Sequence, residues 1–102
     1  MMEVVVQQLV DAAEALLVPL RMGQGLDDQA LANLELALDE FARQWRSEPL
    51  IPKRAASVLA EIWPAMEASS ELYADERGPR IREEAVRLSD RVFLCFVEDG
   101  PE

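Results

Sequence analysis

At 102 residues, half of them apolar, the chain suits one compact domain spanning 1–102, long enough to bury a self-sufficient core. The single cysteine, Cys95, rules out an intramolecular disulfide, and the absence of histidine removes the commonest general base and metal ligand. Twenty acidic residues against ten basic ones leave a net charge of −10, which repels nucleic-acid phosphates unless the bases gather on one face.

The opening stretch "MMEVVVQQLVDAAEALLV" has no basic segment, carries Glu3 early and mixes polar with apolar residues, so it reads as mature structure and not as a secretory signal. From Val6 the apolar positions run through Leu9, Val10, Ala13, Leu16, Leu17 and Leu20, the three-four spacing of an amphipathic helix over about 2–20. Pro19 and the glycines of "RMGQG" end it. Asp27 or Asp28 can cap a second helix, about 27–46, in which Leu31, Leu34, Ala37, Leu38, Phe41 and Trp45 share one face and Asp39 can pair with Arg43. "SEPLIP" stops that helix, because Pro49 and Pro52 cannot both lie inside one continuous segment.

Pro52 suits the first position of a third helix, about 52–74, with Ala55, Val58, Leu59, Ile62 and Met66 in its stripe and Tyr73 further along it. Pro64 removes the bond to the carbonyl of residue 60; since the apolar period stays in phase on both sides, a kink near Trp63 is expected in preference to two short pieces. After the turn "YADERGP", a fourth helix over about 79–98 points Ile81, Ala85, Leu88, Val92, Cys95 and Phe96 inward, with Glu83 and Arg87 spaced as an ion pair. Four such segments on short connections predict an all-α fold, an antiparallel, up-down-up-down four-helix bundle with neighbouring helices in contact and the third helix kinked at Pro64. No run approaches the roughly 18 to 20 apolar residues of a membrane span, so no membrane association is expected.

The run "VFLCFV", residues 92–97, holds more apolar surface than one inward face can use, and Phe93, Leu94 and Val97 fall outside the stripe. In an up-down bundle it meets Val4, Val5, Val6, Phe41, Trp45 and Ile51 at one pole. Three arrangements could cover it. The polar tails and the "SEPLIP" loop could fold over it; "EVVV" could pair with "FLCFV" as a two-stranded ribbon; or two copies could pack across a two-fold axis. The last is preferred, with Val4, Val5, Phe93, Leu94 and Val97 as the self-association residues of a homodimer. Trp63, beside the kink, is a candidate anchor for a protein partner or a boundary core residue.

The chemistry-bearing motifs are thin. Ser-His-Asp, Cys-His and histidine-containing zinc sites all need a residue the chain lacks, and no catalytic, metal or cofactor residues are assigned. Cys95, between Leu94 and Phe96, reads as a buried, inert thiol. "GQG" follows no strand and precedes no lysine in phosphate-binding register, so it reads as a helix stop. Glu67 with Glu71, and Glu83 with Glu84, read as solvated helix faces; Arg77, Arg80, Arg82, Arg87 and Arg91 are interleaved with Glu83, Glu84 and Asp90 as a salt-bridged surface and not as a nucleic-acid patch.

Together these point to a small, cytoplasmic, non-catalytic module that binds protein, self-associates through its apolar pole and takes no cofactor and no nucleic acid. Its Arg-rich basic set, with Lys53 the lone lysine, fits a GC-rich, bacterial genome. Two rivals stand beside it: an acidic neutraliser of a basic protein, similar in principle to an immunity protein or antitoxin, and a small enzyme or metal-binding bundle using Asp and Glu.

Overall fold

The computed structural model describes residues 2–97, apart from the side chain of Met2, and comprises four helices: α1 (Met2–Arg21), α2 (Asp28–Gln44), α3 (Lys53–Ser70) and α4 (Arg77–Phe96). Among the described residues there is no strand, so "EVVV" and "FLCFV" do not form a ribbon; both are helical up to Phe96, with Val97 the extended C-cap of the last helix. Residue 98, expected to end the fourth helix, lies outside the described residues.

Each helix end has a local cause. Gly23, at φ 77°, lets α1 close in a Schellman turn, in which Gly23 N–H donates to the Leu20 carbonyl at 3.2 Å and Gln24 N–H to that of Pro19 at 2.9 Å. The Asp27 carboxylate caps α2 by accepting from the N–H groups of Gln29 and Ala30 at 2.9 and 3.1 Å. Pro52 sits just outside α3, in extended geometry.

α3 runs unbroken through Pro64 and ends at Ser70, short of the expected 74. There the Ser70 hydroxyl bonds back to the Glu67 carbonyl at 2.7 Å, and the N–H groups of Leu72 and Tyr73 close onto Ser69 and Ser70. Tyr73 is therefore a turn residue and not the end of a helical stripe. It is nonetheless buried, and its hydroxyl donates to the Leu20 carbonyl at 2.9 Å and accepts from Gly25 N–H at 2.8 Å. α4 begins two residues earlier than expected, and Gly78 in its first turn passes so close to the α3 end that a Cβ would stand 2.6 Å from the Tyr73 carbonyl oxygen.

The inward stripes meet in one core: Leu9, Leu16 and Leu20 of α1, Leu34, Leu38 and Phe41 of α2, Leu59, Ile62 and Met66 of α3, and Ile81, Ala85 and Leu88 of α4. α1 packs on α2 and α3, and α4 packs on the same two helices. α2 and α3, consecutive in the chain, are thus diagonal partners, contrary to the expectation that every successive pair touches. The connection 45–52, stiffened by Pro49 and Pro52, reaches up to roughly 25 Å when extended, more than the roughly 14 Å diagonal of helices packed 8–10 Å apart.

Cross-links fix the levels. Arg54 donates to the Gln7 side-chain oxygen at 2.5 Å near the starts of α3 and α1, while Tyr73 reaches Leu20 at their other ends. Arg80 pairs with Asp28 at 2.5 Å and Arg91 with Asp39 at 2.6 Å, so α4 and α2 run past one another in step.

Candidate functional site

Successive helical residues turn by about 100°, so six apolar residues in a row cannot share one face. In "VFLCFV" only Cys95 is fully buried and Val92 partly so. Phe93 is 66% exposed, Leu94 55%, Phe96 52% and Val97 42%. Phe96, expected inward, is the last residue of α4; one step past Cys95 around the helix, it finds no neighbour to cover it. No charged residue interrupts 92–97.

The exposed side chains divide between two sides of α4. Leu94 and Val97 border a shallow depression with Asp39, Ala42 and Arg43 of α2 and Arg46 just beyond it. The side of α4 facing α3 is marked by Arg82, whose guanidinium donates to Ser70 Oγ at 3.3 Å. Phe93, eleven residues further on, returns to within about 20° of the same side, with the exposed Val86 between them. Trp63, 43% exposed, lies seven residues before Ser70 and hence along the same seam, on α3. α3 and α4 are joined by the short turn 71–76, and helix phase puts Trp63 and Phe93 on this same side of the pair.

The expected association residues are only partly brought together. Val5 turns inward and is buried in the core, so its side chain is closed to a partner. Val4 is exposed, yet it stands on α1, which touches α2 and α3 and sits diagonally from α4. Leu50, in the 45–52 connection, and Val86 are exposed apolar residues that reading the sequence missed. The seven-residue spacing of 86 and 93 was the signal for Val86: a second stripe outside the first.

On the α2 side, charged residues of ion pairs share depressions with Leu94 and Val97. Asp39 pairs with Arg91 instead of Arg43, Arg43 turns to Glu40, and Arg87 takes Glu84 at 3.0 Å instead of Glu83. A three-residue helical spacing serves an ion pair as well as four, and Asp39 lies on the side of α2 that faces α4. The hydrogen bond that Arg91 donates to Asp39 raises the pKa of Arg91, and the one that Arg80 donates to Asp28 raises that of Arg80. The Arg77 guanidinium, hydrogen-bonded to Asp75, holds that carboxyl below its usual range. These pairs are solvent-exposed, and water and salt screen them so that they add little to stability.

Burial, with a smaller push from the charge of Asp39, moves the Cys95 thiol up to about 12, and its Sγ lies 3.5 Å from the carbonyls of Leu38 and Arg91. It is a packed thiol with no thiolate to offer near neutral pH. Trp45 is half-buried and stacks on Phe41 with ring centroids 5.7 Å apart, its indole N–H enclosed without a hydrogen-bond partner among the described residues. Among the described residues no group of three Cys, Asp or Glu gathers to hold a metal ion, and no helix is long and apolar enough to cross a membrane. Compared with known proteins, the chain matches no family model, no curated protein and no solved structure.

Proposed function

We propose that this protein is a small, non-catalytic protein-interaction module that self-associates as a homodimer through the C-terminal end of α4, with Phe93, Leu94 and Val97 at the contact and Trp63 and Phe96 beside it. The observation that carries this reading is a charge-free run of large side chains, 42 to 66% exposed, on the last turns of an otherwise amphipathic helix. Covering them in a second copy removes from water side chains whose full burial is worth about 1.5–3 kcal/mol each. Scaled by exposure and doubled by symmetry, four such residues supply roughly 10 kcal/mol, within the 4–15 kcal/mol that association itself costs, so a dimer needs the whole strip and not one anchor.

The same reading takes the helices to alternate up, down, up and down, supported by the in-step cross-links of α1 with α3 and α2 with α4, and takes α3 to bend at Pro64, which lacks a backbone donor. It makes the protein cytoplasmic and bacterial, on the unpaired Cys95 and the Arg-rich composition. Light scattering at micromolar concentration tests it: the expected mass is twice the 11.5 kDa of one chain, returning to one chain in Phe93→Glu with its helical circular dichroism intact. A wild-type mass of 11.5 kDa overturns the proposal.

The net charge of −10 favours a second reading, an acidic neutraliser that captures a basic protein by long-range attraction. Capture of that kind weakens steeply with salt, and an affinity that stays flat as ionic strength rises removes it.

A further inference from the structure

α1 presents a second outward row that the core does not use. Val4, Gln8, Asp11, Ala15 and Val18 recur at alternating four- and three-residue steps, and all are exposed. Between this row and α2 runs an open furrow of about 840 Å³ whose floor is Ala12, Ala15 and Ala37 and whose wall carries the exposed Leu36. Alanine on the floor leaves no side chain to fill the space between the two backbones, so a third helix can lie close, ridge into groove. Val4 and Val18, both about half exposed, sit near the two ends of the row, roughly 21 Å apart at 1.5 Å per residue, which is about four helical turns.

The charges around the furrow select the occupant. α1 carries Glu3, Asp11 and Glu14, and its first basic residue is Arg21 in the last turn. Asp11 borders the furrow and is met there only by the Gln7 amide, at 2.8 Å, with no ion pair among the described residues. Asp39 and Glu40 border the opposite wall together with Arg43, Glu40 paired with Arg43 and Asp39 with Arg91, so the lining holds three acids to one base. A second copy of this chain would lay the same acids against these, whereas the charge-free run 92–97 presents no such repulsion; the two surfaces want different partners.

We propose that the furrow between α1 and α2 docks an amphipathic helix of about four turns from a partner protein, its apolar face on Ala12, Ala15, Leu36 and Ala37 and lysine or arginine along its flanks. This surface meets the α4 run only at Asp39 and Arg43 of α2, and α1 itself is diagonal to α4. The test uses a synthetic helical Leu/Lys peptide of about 18 residues and a second peptide of identical composition, scrambled so that its leucines form no face, titrated calorimetrically at physiological ionic strength. The amphipathic peptide is expected to bind one per chain, about tenfold or more tighter than the scrambled one, with amide shift changes in α1 and α2. Ala15→Trp fills the floor and Asp11→Lys reverses the rim. Each is expected to weaken binding about tenfold, Asp11→Lys serving as the deciding variant should Ala15→Trp lose its helical spectrum, and Phe93→Glu is expected to leave it unchanged. Equal affinity for the two peptides, shift changes confined to α3 and α4, or undiminished binding by Asp11→Lys overturns the proposal.

Discussion

Removing one hydroxyl, in Tyr73→Phe, isolates a junction that ties three segments together. The Tyr73 oxygen donates to the Leu20 carbonyl and accepts from Gly25 N–H, linking the end of α1, the glycine turn and the segment between α3 and α4. Phenylalanine keeps the ring, its packing and its place 5.1 Å from the Arg77 guanidinium, so the change reports the two hydrogen bonds. Their losses are unequal. The Leu20 carbonyl retains Gly23 N–H at 3.2 Å, whereas Gly25 N–H has no second acceptor among the described residues and sits partly shielded from water. Stranding such a donor costs about 1–3 kcal/mol, and with a small term for Leu20 the expected loss is about 2 kcal/mol. For a chain of this size that lowers the melting temperature by roughly 10 °C. Urea unfolding followed by circular dichroism, at one fixed protein concentration so that any dimer contributes equally, measures it. A loss under about 0.5 kcal/mol, the scatter of an ordinary surface change, refutes the argument that this hydroxyl holds the junction.

Gly78→Ala improves helix propensity by up to about 1 kcal/mol but sets a methyl group 2.6 Å from a backbone oxygen, so urea unfolding is expected to show a net destabilisation of about 1–3 kcal/mol. Asp27→Ala removes both acceptor bonds of the α2 cap and is expected to cost about 1 kcal/mol in the same assay, with Asp27→Asn recovering most of it. With its pKa at about 12 in the folded chain against an ordinary value of 9.0, Cys95 stays protonated in the fold where the unfolded thiol ionises, so stability is full below about pH 9 and declines as pH rises from there through 12. Cys95→Ser, which carries no such titration, is expected to flatten that part of the pH profile, and iodoacetamide at pH 8 is expected to label wild-type Cys95 only as fast as the chain unfolds.

Much of the helical framework was legible because apolar residues three and four apart leave a phase that persists over many turns, as in Leu31, Leu34, Leu38 and Phe41. The same phase separates Val4 from Val5: counted back from Leu9, Val5 falls about 40° from the buried line and Val4 about 140°. Taking "VVV" as one patch ignored that angle. What periodicity does not encode is which helix stands beside which. A broad apolar stripe packs on any other, so the diagonal placing of α2 and α3 emerges only from the whole bundle. Short-range competition hid the rest. Nothing in the spacing distinguishes a Ser70 that bonds back to Glu67 from one that continues the helix, or says that Arg87 prefers Glu84 to Glu83. The apolar excess at 93, 94 and 97 was readable as a surplus over one face, though not how it divides between the α2 and α3 sides of α4.

The long tie between α2 and α3 makes the molecule two helical hairpins, 2–44 and 53–96, each of which completes its core against the other. Residues 46–50, with Leu50 at the tip, face solvent, while Trp45 and Ile51 on either side pack against the core. A protease nick there would leave a noncovalent pair that still reads as one protein. Exchange of hairpins between molecules would likewise rebuild each core from two chains without a single new contact inside it.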